Sequence, residues 1–144
     1  MKIYLDNCCF NRPFDDQTSL VIQLETEAKL FVQEQIKQGK ISLLWSFVLD
    51  YENRDNPFEE VRNRIARWKT LAVADCDLSD EIIEKANELM KLGLKQMDAS
   101  HVACAIRLGA EYFLTVDKKI LNKPIMDIIV INPIDFIRRH LNEE

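Results

Sequence analysis

The sequence predicts an α/β fold, a three-layer α/β/α sandwich around a mostly parallel, five-stranded sheet. Short β-rich runs alternate with longer runs of helical periodicity, and only 3 Gly and 4 Pro occur in 144 residues. Such alternation is typical of parallel sheets, because each crossover between parallel strands needs a helix. So few turn residues disfavour sandwiches and barrels built from many hairpins. We expect residues 1–144 to form a single domain.

Five apolar segments rich in β-branched and aromatic residues predict the strands. They are Lys2–Leu5, Ile41–Trp45, Thr70–Ala74, Tyr112–Val116 and Ile128–Ile131. Ligand sites in parallel sheets lie beyond the carboxyl ends of the strands, where the strand order reverses. The residues that follow each strand are therefore the first candidates for a functional site.

Helices are predicted between these strands from apolar spacing and from capping residues. The first is capped by Thr18 or Asp16 and ends at Gly39, and a short helix capped by Ser46 runs through Asn53. Pro57 is predicted at the first position of a helix that continues to Trp68. The remaining predicted helices run from Ser79 to near Gly93, over Met97–Leu108, and over Ile134–Leu141.

Charge and hydropathy limit the functions that the chain can have. It carries 19 Lys and Arg against 24 Asp and Glu, a net charge of -5, whereas proteins that hold nucleic acid by charge alone are usually basic. A polynucleotide would therefore need a local basic patch or bound cations. The apolar run near the N-terminus is too short for a signal peptide or a membrane span. We expect a soluble, cytoplasmic protein that does not contact a membrane, with its four cysteines reduced and mostly buried.

Four acidic residues are the candidates for chemistry. Asp6 follows the first predicted strand, Asp117 follows the fourth, Asp98 begins an apolar helix, and Glu52 lies in the helix after the second strand. Each one alone could be a helix cap or a solvated turn residue. Carboxylates within about 4–6 Å disfavour each other's ionised forms. A hard divalent cation would relieve that repulsion and could assist hydrolysis of a phosphodiester.

Four segments together resemble the PIN domain, a family of metal-dependent ribonucleases that includes the toxins of toxin–antitoxin pairs. They are YLDNCCFNRPFDD, SFVLDYEN, MDASHVACAI and YFLTVDKKI, and the resemblance covers essentially the whole chain. In the second segment Asp50 and Glu52 compete. The family typically has an acid about six residues after a serine at the strand end, which selects Glu52.

The resemblance implies an endoribonuclease that uses Mg²⁺ or Mn²⁺. Asp6, Glu52, Asp98 and Asp117 would form the catalytic quartet. Asp6 and Asp98 would bind the ion most directly, and Glu52 and Asp117 would orient water or complete the shell. Lys119 and Ile120 follow Asp117 where many relatives carry a further acid or Asn, which disfavours a second metal site.

The resemblance also implies partners and supporting residues. RNA would be the substrate, a small antitoxin would be the inhibitory partner, and the chain would form a homodimer. The candidate substrate-binding residues are Asn7, Arg12, Arg54 and Thr115, with Thr115 as a supporting hydrogen-bond donor. His101 lies one turn after Asp98, where a packed histidine is favoured over a metal ligand or a general base.

Three other functions compete with the nuclease interpretation. A catalytically inactive PIN-like module that binds RNA or protein stays open. A phospho-receiver would need a lysine after its last strand, and IIVINP has none. A phosphatase of the haloacid-dehalogenase type would need an acid where Cys8 stands.

Overall fold

The computed structural model describes residues 1–143, with side chains described as far as residue 141, and contains a five-stranded parallel sheet. The strands are β1 (Lys2–Leu5), β2 (Ser42–Ser46), β3 (Ala74–Cys76), β4 (Tyr112–Leu114) and β5 (Ile129–Ile131). Their order in the sheet is β3-β2-β1-β4-β5, and all four pairings are parallel. The predicted α/β class with a mostly parallel sheet is confirmed.

Eight α-helices connect the strands and follow the last one. They are α1 (Asn7–Asn11), α2 (Leu20–Lys37), α3 (Phe47–Arg54), α4 (Glu59–Trp68), α5 (Asp80–Met90), α6 (Gln96–Arg107), α7 (Lys118–Leu121) and α8 (Pro133–Glu143). The chain moves one way across the sheet from β1 to β3 and the other way from β4 to β5. Right-handed crossovers therefore put α1–α4 on one face and α5–α7 on the other, while α8 packs against α2. No helix within residues 1–143 is long and apolar enough to cross a membrane.

The central strand β1 fixes where a site can form. Ile3, Tyr4 and Leu5 are completely buried between β2 and β4 and under both helix layers. The strand order reverses at the boundary between β1 and β4, which leaves a cleft at their carboxyl ends. The backbone N–H of Asp6 donates to the carbonyl of Leu114 at 2.9 Å and so continues the pairing into that cleft.

The third strand begins later than the sequence predicts. The prediction of Thr70–Ala74 is wrong, because a 3₁₀ turn over Lys69–Leu71 continues α4 and the ladder starts only at Ala74, opposite Leu44. Leu71 and Val73 are exposed. This apolar run therefore lies on an edge of the sheet and not in the core.

Two predicted helix starts are also wrong, for the same local reason. Ser19 caps α2, and its hydroxyl accepts from the backbone of the helix, while Asp16 instead accepts from the N–H of Thr18. Pro57 does not open α4, which begins at Glu59. Short Asp and Asn side chains form turns with the backbone two residues on, which competes with capping.

The Asn56 turn shows this competition directly. Its side-chain oxygen accepts from the N–H of Phe58 at 3.0 Å, so the chain turns before α4 begins. The five-residue helix α1 was not predicted, because Asn7, Cys8 and Asn11 have weak helix propensity. It forms because the Asp6 carboxylate caps it and because Phe10 is fully buried.

A lysine lies inside the α2 layer without a carboxylate partner among the described residues. Lys29 is only 2% exposed, and its ammonium lies over the rings of Phe10 and Trp68, 5.2 and 5.7 Å from their centroids. The Gln33 amide oxygen accepts from it in the orientation that also satisfies the Trp68 indole. Burial lowers the pKa of Lys29 to about 7. The cost of removing the charge from water therefore exceeds the attraction to the rings.

Replacing this lysine with a neutral side chain of similar length should stabilise the protein in a pH-dependent way. The folded-state pKa of Lys29 is below the unfolded value, so the cost of its burial is nearly complete at pH 7 and fades as pH rises toward about 10.4. Lys29→Met should raise the free energy of unfolding at pH 7 by about 2 kcal/mol. Urea denaturation at pH 7 and pH 9.5 checks this. A gap between the two proteins that grows with pH would contradict it.

Candidate active site and metal centre

Asp6 lies at the bottom of the cleft and is 5% exposed. Its carboxylate accepts from the Asn7 backbone N–H at 2.8 Å, from the Thr115 hydroxyl at 2.7 Å and from the Cys8 thiol at 3.3 Å. Within residues 1–143 no lysine or arginine forms an ion pair with it. Hydrogen bonds therefore orient Asp6 without neutralising it.

Glu52 and His101 meet Asp6 from two other elements. Ligand atoms of the three side chains all lie within 4.8 Å of one another. The Nε2 atom of His101 contacts the Glu52 carboxylate and lies 3.8 Å from Asp6 Oδ1. The Asn7 amide donates to Glu52 at 3.4 Å. Glu52 remains partly exposed, so the cluster opens to solvent on its side.

A buried hydrogen-bonded chain holds His101 in this orientation. Tyr4 Oη lies 2.6 Å from His101 Nδ1 and 2.5 Å from Ser46 Oγ. Nε2 must carry a proton to donate to Glu52, so in the neutral ring Nδ1 accepts from Tyr4. Burial raises the pKa of Tyr4, which keeps its hydroxyl protonated and able to donate. The chain of bonds thus runs from Ser46 toward the carboxylate.

Asp98 and Asp117 complete the acidic side of the cleft. Asp117 caps α7 by accepting from the Lys119 N–H at 2.8 Å, and its own N–H donates to Thr115 Oγ1 at 3.1 Å. Partial burial, followed by the charges of Asp6 and Asp117, raises the pKa of Asp98, and Glu52 adds to the shift. Burial is the largest cause of this shift, and the smaller contributions of Asp6, Asp117 and Glu52 indicate that these carboxylates lie near Asp98.

The donors in the cleft suit a hard divalent cation. Carboxylate oxygens are the ligands that Mg²⁺ and Mn²⁺ take, and Asp6 and Glu52 present such oxygens within 4.8 Å of each other, with Asp98 interacting electrostatically from α6. The side-chain oxygen of Asn7 is buried and has no hydrogen-bond partner among the described residues. The residues therefore fit the cation.

Two solved structures resemble the chain over almost all of its length. One is VapBC2 from Rickettsia felis, bound to a DNA fragment from the VapBC2 promoter. It has a TM-score of 0.58 and 14% identity, and the match covers 92% of this chain and 98% of that chain. The other is VapBC-1 from nontypeable Haemophilus influenzae, with a TM-score of 0.54, 17% identity and the same coverage. The chain has the PIN-domain fold. No protein-family model and no curated protein matches the sequence.

Within this PIN fold, Asp6 and Glu52 bring ligand atoms within 4.8 Å of each other, together with His101. Asp98 and Asp117 lie outside that group of three, and Asp98 interacts electrostatically with Asp6, Asp117 and Glu52. Asp50, the alternative to Glu52, points elsewhere, since it accepts from the Trp45 indole and from Lys69, both at 2.9 Å. Glu52 is the acid of that segment that contacts His101.

The predicted substrate-binding residues have different surroundings. Thr115 is fully buried and donates to Asp6, which makes it a positioning residue. Arg12 forms ion pairs with Asp15 at 2.9 Å and with the buried Glu25 at 3.2 Å, so its charge is compensated within the chain. Arg54 lies over the Tyr51 ring, 4.9 Å from its centroid. Asn7 contacts Glu52.

His101 is more closely involved in the site than the sequence indicated. It is fully buried, as a packed histidine would be, yet its Nε2 atom reaches two carboxylates. The available signal was its position three residues after Asp98, which puts both on one face of α6. The sequence could not reveal that Tyr4, 97 positions away, holds the ring.

Removing the Asp98 charge should stabilise the cation-free protein. A raised pKa means that the ionised acid destabilises the fold above that pKa, and that the penalty fades as pH falls through it. In EDTA at pH 8, Asp98→Asn should raise the thermal midpoint by about 3 °C, the shift typical of about 1 kcal/mol at this size. Excess Mn²⁺ should raise the thermal midpoint of the wild type more than that of Asp98→Asn, because the ion binds tightly only to the folded wild-type protein.

The matched control is Asp77→Asn, which removes an exposed acid. It should leave the thermal midpoint unchanged in EDTA and in Mn²⁺. The account is contradicted if Asp98→Asn and the control behave alike in both buffers.

Proposed function

We propose that the chain is a divalent-metal-dependent endoribonuclease that hydrolyses RNA phosphodiester bonds, and that it is the toxin of a toxin–antitoxin pair. The observation that carries the proposal is the group of Asp6, Glu52 and His101, whose ligand atoms lie within 4.8 Å of one another, with Asp98 close enough to interact electrostatically with Asp6 and Glu52. A bound divalent cation would relieve the repulsion among these carboxylates.

Asp6 and Asp98 would hold Mg²⁺ or Mn²⁺, with Asp117 completing the shell. The bound ion would offset the charge that develops on the phosphate and lower the pKa of water. Asp6 is oriented for this role by Thr115 and the Asn7 backbone, which leave its position little freedom.

Glu52 would accept the proton of the attacking water. It is the partly exposed acid of the cluster, with its side chain 27% accessible, and His101 and Asn7 hold it in place. Among the described residues, the carboxylates that His101 contacts are those of Glu52 and Asp6. We therefore assign His101 as a positioning residue.

An antitoxin partner is supported by the two VapBC complexes of similar fold and by an apolar groove beside the acids. The groove has a volume of about 340 Å³ and lies between α3, α5 and α6. Its lining includes Tyr51 and Met97, the chain neighbours of Glu52 and Asp98. A partner segment seated there would extend into the acidic cleft. In the proposal, the toxin acts as a homodimer in the cytoplasm.

Substitution of Asp6 tests the proposal. Asp6→Asn keeps an oxygen that can cap α1 but removes a negative charge from the cleft. Cleavage of single-stranded RNA in Mn²⁺ should fall at least about 100-fold, as expected when transition-state charge loses its stabilisation. The measurement is the initial rate on a labelled RNA, with circular dichroism to verify the fold.

Asp50→Asn is the control, because Asp50 lies on the same helix as Glu52 but faces Trp45 and Lys69. It should cleave RNA at the wild-type rate. If wild type shows no metal-dependent cleavage but binds RNA or a protein partner, the inactive binding module is the correct function. Equal rates for wild type and Asp6→Asn would refute the assignment of the site.

A further inference from the structure

A pocket lined by lysines adjoins the acidic cleft. It has a volume of about 270 Å³ and shares Asp98 with the cleft. Four lysines line it, two from α7 and two from the turns on either side of the cleft: Lys95, Lys118, Lys119 and Lys123. We call this group the lysine pocket. The lysine pocket therefore places positively charged ammonium groups at the edge of the acidic cleft.

The ammonium groups of the lysine pocket are uncompensated. None of the four forms an ion pair with a carboxylate within the described part of the chain. Lys69 and Lys85 differ in this respect, since Lys69 contacts Asp50 and Asp75, and Lys85 contacts Glu88 and Asp127. In a chain with a net charge of -5, four unpaired cations in one place are a local exception. Such a patch attracts anions.

Gly93 makes room for one of these lysines. A Cβ atom at Gly93 would lie 2.9 Å from Lys123 Nζ and 3.4 Å from its Cε, so any side chain there would displace the ammonium. The glycine also has a φ of +102°, which other residues rarely adopt. The backbone after α5 therefore lies directly beneath the Lys123 ammonium and leaves no space between them for another side chain.

Two of these lysines are close to the acids along the chain, and Asp98 itself lines the lysine pocket. Lys119 follows Asp117 by two residues, and its N–H already bonds the Asp117 carboxylate. Lys95 is the cap residue of α6, three positions before Asp98. A strand whose scissile phosphate lies at Asp6 and Asp98 would bring a neighbouring phosphate to the lysines.

We propose that the lysine pocket binds one backbone phosphate of the RNA, next along the same strand to the phosphate at which the RNA is cut. This inference rests on the proposed ribonuclease function. It replaces Arg12, whose charge is compensated by Asp15 and Glu25, as the main basic contact. The contact is to phosphate alone, so it positions the strand and carries no base preference.

The test compares two double variants that remove equal charge. Lys119→Ala with Lys123→Ala removes two of the four lysines of the lysine pocket. Lys2→Ala with Lys40→Ala removes two exposed lysines at the opposite edge of the sheet, where β1 and β2 begin. Binding of a fluorescein-labelled single-stranded RNA is followed by anisotropy in EDTA, so that no cleavage occurs, across a range of salt concentrations.

The slope of log affinity against log salt should become shallower by about 0.7 in the pocket variant, the value for one lost phosphate contact on a single strand. The control should keep the wild-type slope. Lys119→Arg with Lys123→Arg should also keep it, since guanidinium groups bind phosphate. A purely structural role for the two lysines would not produce this pattern.

The outcomes separate the inference from the function on which it rests. If wild type cleaves RNA in Mn²⁺ but the pocket variant and the control have equal slopes, the lysine pocket is refuted and the ribonuclease stands. If wild type neither binds nor cleaves RNA, both proposals fail. A shallower slope in the pocket variant alone, together with cleavage by wild type, supports both.

Discussion

Repulsion among carboxylates at the carboxyl ends of β1 and β4 is the constraint on which the site depends. The fold buries Asp6 and places Asp98 where burial, and then the charges of Asp6 and Asp117, raise the pKa of Asp98. Hydrogen bonds from Thr115 and from the start of α1 fix Asp6 but leave its charge in place. The site is therefore rigid and uncompensated, which is the state that a cation site requires before the ion binds.

The hydrogen bonds that link Ser46, Tyr4 and His101 all donate in the same direction. Ser46 both caps α3 and contacts Tyr4, which in turn contacts His101, so the second strand and α6 are joined through the first strand. Every donor in this chain points toward Glu52. Helix capping and orientation of the site thus share the Ser46 side chain, and a change in this serine would reach Glu52 through three hydrogen bonds.

The sequence was informative where local chemistry decides and less so where tertiary contacts decide. Strand ends followed by acids predicted the positions of Asp6 and Asp117, because in a parallel sheet these ends meet at one edge. The apolar run before β3 was misleading, since edge strands bury little of their surface. The role of His101 depends on Tyr4, and the lysine pocket depends on a glycine that lies 30 residues before Lys123. No local pattern contains either relationship.

The most direct test of the central claim is a crystal structure of the protein with Mn²⁺, using the anomalous scattering of the metal. The account predicts one anomalous peak in contact with the carboxylates of Asp6 and Asp98, with Asp117 beside it. It is contradicted if the crystals show these carboxylates apart, or together without a peak at saturating Mn²⁺.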